Sequence, residues 1–303
     1  MSLQRLLVAL IVAPLVIGLL GDPVDAAAQQ SAVEQAFSAV ERGDFGPVSD
    51  LAQRGEAIVN AVQPYLSSPQ EVLRREALAL LSTLGGTRAC NALVSALADP
   101  SADIRSRAGF ALMAHCDLGA IAPTDESLSA LLTSLERGNS SAAPLLMLGH
   151  FTNTAALDAL QSVLQNPFSV KLHPWSPLVS AALPARVALL RLGAAGSQPA
   201  IRRVIAQDDL SEQVFLLAVL DQIEDRETLL QLSKHLDDQR PIAGGGGVPS
   251  GAVPRRRLCD LALEAFAASL DLTLPFDVST ARRYHPRECH QVAVAVQQRL
   301  AQD

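Results

Sequence analysis

Four cysteines are the residues of this chain whose types and spacing most readily suggest chemistry with one another. Thiols pair as disulfides in exported proteins, and four cysteines allow three pairings. Cys90 and Cys116 belong to two consecutive helices, expected to be antiparallel and joined near Asp99, so both lie at the same end of that pair. This predicts a Cys90–Cys116 disulfide and leaves Cys259 to pair with Cys289, where the antiparallel argument is weaker because both lie near helix starts.

Histidines stand near two of these cysteines, but their spacing does not complete a metal site. His285, Cys289 and His290 supply at most part of a ligand set, whereas structural zinc takes four convergent ligands in paired short spacings. The chain has no C-x-x-C, H-E-x-x-H or G-x-S-x-G pattern. The acidic pairs 208–209 and 237–238 fall at predicted helix boundaries, where carboxylates cap helices or face water. We therefore expect no metal, no cofactor and no catalytic residue.

A cationic run lies at the start of a predicted C-terminal helix, where positive charge opposes the helix dipole. One interpretation is that these arginines pair with acidic neighbours such as Asp237, Asp238 or Asp260. The other is contact with an anion or an acidic peptide, in a patch that Arg282, Arg283 and Arg287 would extend. The run consists of Arg255, Arg256 and Arg257.

An unusually long linker, residues 166–177, contains the only tryptophan, Trp175, together with Phe168 and His173 between three prolines. Prolines reduce the entropy that a loop loses on ordering, so this loop is suited to presenting side chains rigidly. Aromatic anchors dominate binding hot spots. The alternative is that Trp175 and Phe168 fold back onto neighbouring helices. The candidate partner-binding residues are Phe168, His173, Trp175, Arg255, Arg256 and Arg257.

These candidates must be positioned by helices, because a helical motif recurs at an offset of 31 residues. Residues 68–77 return as residues 99–108, which aligns Pro69 with Pro100 and Arg74 with Arg105. A two-helix unit of this length cannot bury its apolar face alone and must stack on its neighbours. An apolar content of 49% with only 4% aromatic residues favours close helix packing. The sequence predicts an all-α fold.

The motif resembles the short HEAT-like repeats of bacterial α-solenoids. Its pattern is an N-cap Asp or Ser, then Pro, an apolar residue four positions on, Arg directly after it and Ala three beyond. Residues 258–265 are similar to a third copy with Asp260 in place of the Arg, while residues 137–236 keep only helical periodicity. The resemblance implies a right-handed solenoid that binds proteins or peptides, sometimes with a cofactor-loading role, and it does not imply an enzyme. The order of the predicted helices gives about six stacked pairs.

Pro and Gly positions between apolar runs divide the chain into helices and segments. We predict helices over residues 69–84, 87–98, 127–135, 140–148, 154–164, 177–192, 199–206, 210–223, 226–236, 255–270 and 286–301, with another starting at 99. The segments are a signal peptide (1–28), a helical cap (29–66), HEAT-like repeats (67–239), a Gly/Pro-rich flexible loop (240–254) and a C-terminal repeat and cap (255–303).

The first 28 residues have the order of a secretory signal peptide. Arg5 precedes an apolar run, Leu6–Leu20, and Ala26–Ala28 offers a small-residue cleavage site. The run is shorter than the ~20 residues of a membrane helix, although an uncleaved anchor is the alternative. We expect cleavage after Ala28, a periplasmic or secreted bacterial protein, and no membrane span afterwards. A net charge of −7 argues against binding nucleic acid.

Arg74 and Arg105 follow an apolar core residue at the same step of two repeats. Stacking should align them along one edge, with Glu71, Asp99 and Asp103 as nearby carboxylates. We expect an inter-repeat ladder of partly buried Arg–carboxylate bonds. The alternative is that both arginines line a ligand groove.

The leading functional hypothesis is a non-enzymatic scaffold of the bacterial cell envelope that binds a protein or peptide as a monomer or weak oligomer. The alternative is a cofactor-handling or lyase-like HEAT-repeat protein with a small-molecule pocket, and a third possibility is a purely structural element. A deep apolar pocket with convergent polar groups would favour the small-molecule function, and an open shallow groove would favour the scaffold.

Overall fold

The computed structural model describes residues 23–242, 256–279 and 282–302, and side chains from residue 26 onward. The chain divides into two compact units, Met1–Ala96 and Leu97–Asp303, a division that lies inside the predicted repeat region. The described residues are mainly helical, which confirms the all-α prediction at that level. Residues 1–22 of the predicted signal peptide lie outside the described residues. In the described part, no helix is both long and apolar enough to cross a bilayer.

The first unit contains five α-helices among its described residues, connected in part by 3-10 turns. They are α1 (Pro23–Glu41), α2 (Gly46–Leu51), α3 (Val59–Val62), α4 (Glu71–Leu84) and α5 (Gly86–Ser95). The core of the unit includes Phe37, whose ring stacks on Tyr65 with the ring centroids 3.9 Å apart. Gly85 has a φ of 62° where α4 ends, a conformation that favours glycine, so the predicted glycine stop is confirmed.

The second unit holds ten α-helices in its described part. They are α6 (Ala102–His115), α7 (Asp125–Glu136), α8 (Ala143–Leu148), α9 (Thr154–Gln165), α10 (Ala182–Arg191), α11 (Ser197–Gln207), α12 (Leu210–Ala218), α13 (Arg226–Leu232), α14 (Leu258–Ser269) and α15 (Pro286–Gln302). Helices two positions apart in the chain contact each other at α6–α8, α8–α10, α11–α13, α12–α14 and α13–α15, and neighbours contact at α7–α8, α9–α10 and α14–α15. Short 3-10 turns, including Leu220–Gln222 and Ser233–Asp237, extend the ends of α12 and α13.

The Ser-Pro and Asp-Pro pairs of the repeated motif do not cap their helices as predicted. The N-caps are Gln70 and Ser101, two residues later. Ser68 Oγ accepts a hydrogen bond from the Gln70 main-chain N at 3.2 Å, and Asp99 Oδ1 accepts one from Ser101 N at 2.7 Å. Each Ser or Asp therefore closes a turn ahead of the helix, since these side chains readily bond the main chain two residues on.

A small β-hairpin interrupts the helices where the sequence predicted a helix over 177–192. Strand β1 (Ser169–Val170) pairs antiparallel with β2 (Val179–Ser180), and α10 begins only at Ala182. Ser140 O accepts a hydrogen bond from Lys171 N at 2.7 Å, and Lys171 O accepts one from Ala142 N at 2.8 Å. The predicted aromatic loop is thus anchored by main-chain hydrogen bonds on both sides.

Candidate functional site

Arg105 of the repeated motif binds main-chain carbonyls, in place of the carboxylates that the ladder prediction named for it. Arg105 is 5% exposed and donates four hydrogen bonds. Two go to Asp99 O (2.7 Å) and Pro100 O (3.0 Å) before its own helix. The other two go to Arg137 O (2.8 Å) and Gly138 O (3.0 Å) after α7. Turn carbonyls face inward at this point, and a guanidinium has enough donors to satisfy several of them.

Arg74 forms the equivalents of two of these bonds in the first unit. It is 8% exposed, and its Nη1 donates to Ser68 O at 2.9 Å and to Pro69 O at 3.3 Å. These acceptors lie six and five residues before the arginine, the same offsets at which Arg105 binds Asp99 and Pro100. The two arginines are therefore equivalent structural elements, and neither lines the pocket described below.

Gln213 plays the same part at the same helix position, although the motif analysis did not single it out. It lies four residues after the N-cap Asp209, as Arg74 and Arg105 do after theirs. Its buried Nε2 donates to Ile205 O at 3.1 Å and to Val204 O at 3.4 Å. Its Oε1 lies 2.9 Å from His235 Nε2. Gln213 thereby fixes α12 against the end of α11 and the turn after α13.

His235 is buried beside this glutamine and near acidic groups. Burial lowers the pKa of His235, and Asp238 and Asp208 only partly oppose that effect. Asp238 is itself bound by Arg240, whose guanidinium also bonds Asp208 at 2.7 Å. The neutral imidazole is therefore the favoured form, which fits a ring nitrogen donating to the Gln213 amide oxygen.

A pocket of about 310 Å³ lies in the second unit between the hairpin loop, α12 and the start of α14. The loop contributes Leu172, His173, Trp175, Ser176, Pro177 and Val179; α12 contributes Ser211, Val214, Phe215 and Ala218; and Ile242, Arg256 and Leu261 complete the wall. The lining is mainly apolar with a few polar groups, as in sites for small ligands, which start at about 300 Å³.

The α12 wall is the part of the site that sequence reasoning missed. Its members are spaced at i, i+3, i+4 and i+7, so they share one face of the helix. Val214 and Ala218 on that face are not buried in the core. Only the packing shows that this apolar face is incompletely covered, so no signal in the sequence points to this wall of the pocket.

The loop presents its two aromatic residues differently. Trp175 is 72% exposed at the pocket, so the interpretation that it folds back onto neighbouring helices is wrong. Phe168 is 37% exposed and does not line the pocket, whereas His173 does. The Ser176 hydroxyl accepts hydrogen bonds from Leu172 N at 3.0 Å and His173 N at 3.2 Å. These bonds hold the tip of the loop in a tight turn.

The three arginines of the cationic run, which were predicted to contact a partner, have different surroundings. Arg255 lies outside the described residues. Arg256 lines the pocket and pairs with Glu264, whose pKa is raised by burial against the opposing charge of Arg256. The pair leaves Arg256 Nε and Glu264 Oε1 buried without a hydrogen-bond partner among the described residues. Of the two described members of the run, Arg256 is thus the one that remains a candidate for contact with a partner.

Arg257 has an internal structural role, which supports pairing with Asp260 over contact with an anion. Its Nη2 donates to Asp260 Oδ1 at 2.6 Å and to Tyr284 O at 2.7 Å. The carboxylate of Asp260 is fully buried and also accepts from the main-chain N of Arg257 and of Tyr284. Burial raises the pKa of Asp260, but these hydrogen bonds outweigh it and hold the pKa below the usual range.

The cysteines separate into two pairs with different chemistry. Cys90 and Cys116 are disulfide-bonded, as predicted. Cys259 and Cys289 are free buried thiols, so the predicted disulfide between them is not formed in this structure. Within the described ranges, no group of three or more His, Cys, Asp or Glu side chains is placed to hold a metal ion.

No protein-family model, curated protein or solved structure matches this chain.

Proposed function

We propose that this protein is a non-enzymatic binding protein that takes an apolar side chain of a peptide or protein partner into the pocket beside Trp175. The observation that carries the proposal is the exposure of Trp175, 72%, at the edge of an apolar cavity. An exposed indole loses water-accessible apolar area when a partner covers it. Tryptophan is among the residues most enriched in binding hot spots for this reason.

The size and lining of the pocket support a single apolar anchor. About 310 Å³ accommodates a few side-chain groups but not a folded element. The polar residues at its wall, Ser211, His173 and Arg256, offer hydrogen bonds to the main chain around such an anchor. A hairpin loop held by the Ser176 turn is ordered before binding, so little entropy is lost on contact.

A small amphipathic molecule is the second candidate occupant, because the cavity volume falls at the lower end of ligand pockets. Such a ligand would place its apolar part against Phe215 and Leu261 and an acceptor group toward Arg256. This corresponds to the cofactor-handling alternative without any enzymatic step.

Replacing Trp175 with alanine is expected to weaken binding of selected peptides by roughly 10- to 30-fold, the usual effect at a hot spot. The peptides would be selected from a random phage-displayed library on the wild-type protein. We expect them to share one bulky apolar residue, and binding would be followed by the fluorescence anisotropy of labelled peptides, because Trp175 is the only tryptophan and the variant has no indole emission.

Leu178→Ala is the matched control, because Leu178 is a large apolar residue of the same loop, 58% exposed, that does not line the pocket. It should change affinity little. Equal losses from both substitutions, or selected peptides without a common apolar residue, would contradict the proposed site. Saturable binding of an amphipathic dye at Trp175 with no peptide enrichment would favour the small-molecule occupant.

We further propose that the helices of the second unit form a HEAT-like solenoid. Contacts between helices two positions apart support this arrangement. So does the recurrence of a carbonyl-binding side chain four residues after an N-cap, at Arg105 and Gln213. A stack of this kind depends on such side chains at its turns, so removing Arg105 should disrupt it.

Export to the cell envelope is also proposed, with cleavage after Ala28. It is supported by the disulfide at Cys90 and Cys116 and by the signal-like order of the first residues. We expect N-terminal sequencing of the envelope fraction to begin at Gln29. Protein from that fraction that begins at Met1 would contradict cleavage.

A further inference from the structure

The pocket beside Trp175 combines an apolar wall with a single permanent charge. Among the described residues that line it, Arg256 is the one that carries a formal charge at neutral pH. Burial lowers the pKa of His173, so its imidazole is neutral there. A cation on an otherwise apolar wall favours an occupant that joins an apolar group to an anion.

The guanidinium of Arg256 has more donors than its neighbours use. An arginine side chain has five N–H groups. Within the described part of the chain, Nη2 donates to Glu264 Oε2, Nε is buried without an acceptor, and Nη1 makes no hydrogen bond. The side chain of Arg256 is 23% exposed, so it remains accessible to a second acceptor.

Another arginine of this chain binds two carboxylates at once. Arg240 donates to Asp238 through Nε and Nη2, and to Asp208 through Nη1 and Nη2. Pairing with Glu264 therefore does not prevent Arg256 from binding a further carboxylate. Burial raises the pKa of Glu264, which lessens its repulsion of a second carboxylate.

Resting on the peptide-binding function proposed above, we infer that the occupant is the carboxyl-terminal residue of a peptide or protein partner, with its apolar side chain in the cavity and its terminal carboxylate on Arg256. At a chain end, both groups are attached to the same Cα. The cation of Arg256 and the apolar Leu261 line one cavity of about 310 Å³, so both lie within reach of one residue. The Ser211 hydroxyl, which makes no hydrogen bond with the described residues, is available to the main chain that precedes it.

The test uses labelled peptides of glycine and serine that end in leucine, methionine or phenylalanine, each made with a free carboxylate and with a carboxamide. Binding to the whole protein would be followed by fluorescence anisotropy. We expect the carboxylate form of the tightest-binding peptide to bind roughly 10- to 100-fold more tightly than its carboxamide, because amidation removes charge-assisted hydrogen bonds.

Replacing Arg256 and Glu264 together by glutamine removes both charges of the pair, so that neither is left buried alone. The ratio of the two affinities should then fall to about one. Arg256→Lys keeps the charge but not the planar fork, and should give an intermediate ratio. Arg107→Gln is the control, because Arg107 is an exposed, ion-paired arginine that does not line the pocket, and it should keep the wild-type ratio.

The outcomes separate this inference from the function on which it rests. Equal binding of the carboxylate and carboxamide peptides, with both still weakened by Trp175→Ala, would overturn the inference and leave peptide binding intact. A wild-type ratio in the doubly substituted protein would also overturn it. If neither form of any peptide binds, both the inference and the proposed function are wrong, and saturable binding of decanoate in that case would assign the pocket to a free carboxylic acid.

Discussion

Arg105→Ala should be strongly destabilising, with an expected loss of about 3–5 kcal/mol and a fall of roughly 10 °C in melting temperature. The substitution removes four hydrogen bonds and leaves the carbonyls of the turns before α6 and after α7 without their donor. The bond to Asp99 O is buried and the other three are part-buried, so the desolvation cost of losing the donor is largest at the Asp99 carbonyl. Thermal unfolding followed by circular dichroism would measure the change.

Arg107→Ala is the control on the same helix. Arg107 is exposed and forms an i, i+4 pair with Asp103, so its loss should cost under ~1 kcal/mol. Peptide affinity of the folded Arg105→Ala protein should remain near that of the wild type, because Arg105 does not line the pocket. Unaltered melting together with lost binding would move Arg105 from the scaffold to the binding site.

Asp260→Ala is expected to destabilise the second unit by about 3–5 kcal/mol, the usual cost of removing one partner from a buried ion pair. The Arg257 guanidinium would keep only its contacts with Tyr284 O and Gln239, and the Tyr284 main-chain N would lose its acceptor. Denaturant unfolding would give the change in free energy. Asp103→Ala, at an exposed carboxylate, is the control and should cost under ~1 kcal/mol.

The Asp260 carboxylate should make the free energy of unfolding depend on pH in the acid range. Its pKa is lower in the folded state than in the unfolded state, so its contribution is present above about pH 4 and is lost as the pH falls through the folded value. We expect Asp260→Asn to be less stable than wild type at pH 7 and to show a shallower loss of stability below pH 4. Parallel acid-unfolding curves for the two proteins would contradict this role.

The sequence predicted the helices of the repeated motif because Pro and Gly mark their ends. The predicted N-caps lie two residues too early. Ser68 and Asp99 accept hydrogen bonds from the main chain as N-caps do, but they close turns that precede the helices. The sequence could not predict the hairpin, because strands of two residues are too short to show an alternating pattern. The sequence also could not predict the acceptors of Arg105, because every residue has a main-chain carbonyl and residue type does not show which one will accept.

The candidate site was predicted only in part. Trp175, His173 and Arg256 were chosen by type and do meet at one pocket, although they come from segments far apart in the chain. The opposite wall, on α12, has the composition of an ordinary buried helix, and only packing shows that one of its faces remains open. The two described arginines of the run have different partners, which their sequence does not show. Arg257 pairs with the buried Asp260, whereas Arg256 pairs with Glu264 and lines the pocket.

The segment between residues 242 and 256 is closed at its base by main-chain hydrogen bonds. Pro241 and Arg257 form an antiparallel bridge, Ile242 N donates to Arg256 O at 3.0 Å, and Leu258 N donates to Arg240 O at 3.0 Å. Because the two ends are held in register independently of what joins them, the cost of lengthening this connection grows only slowly. It is therefore a suitable place to insert a tag or a small domain while α14 keeps its start.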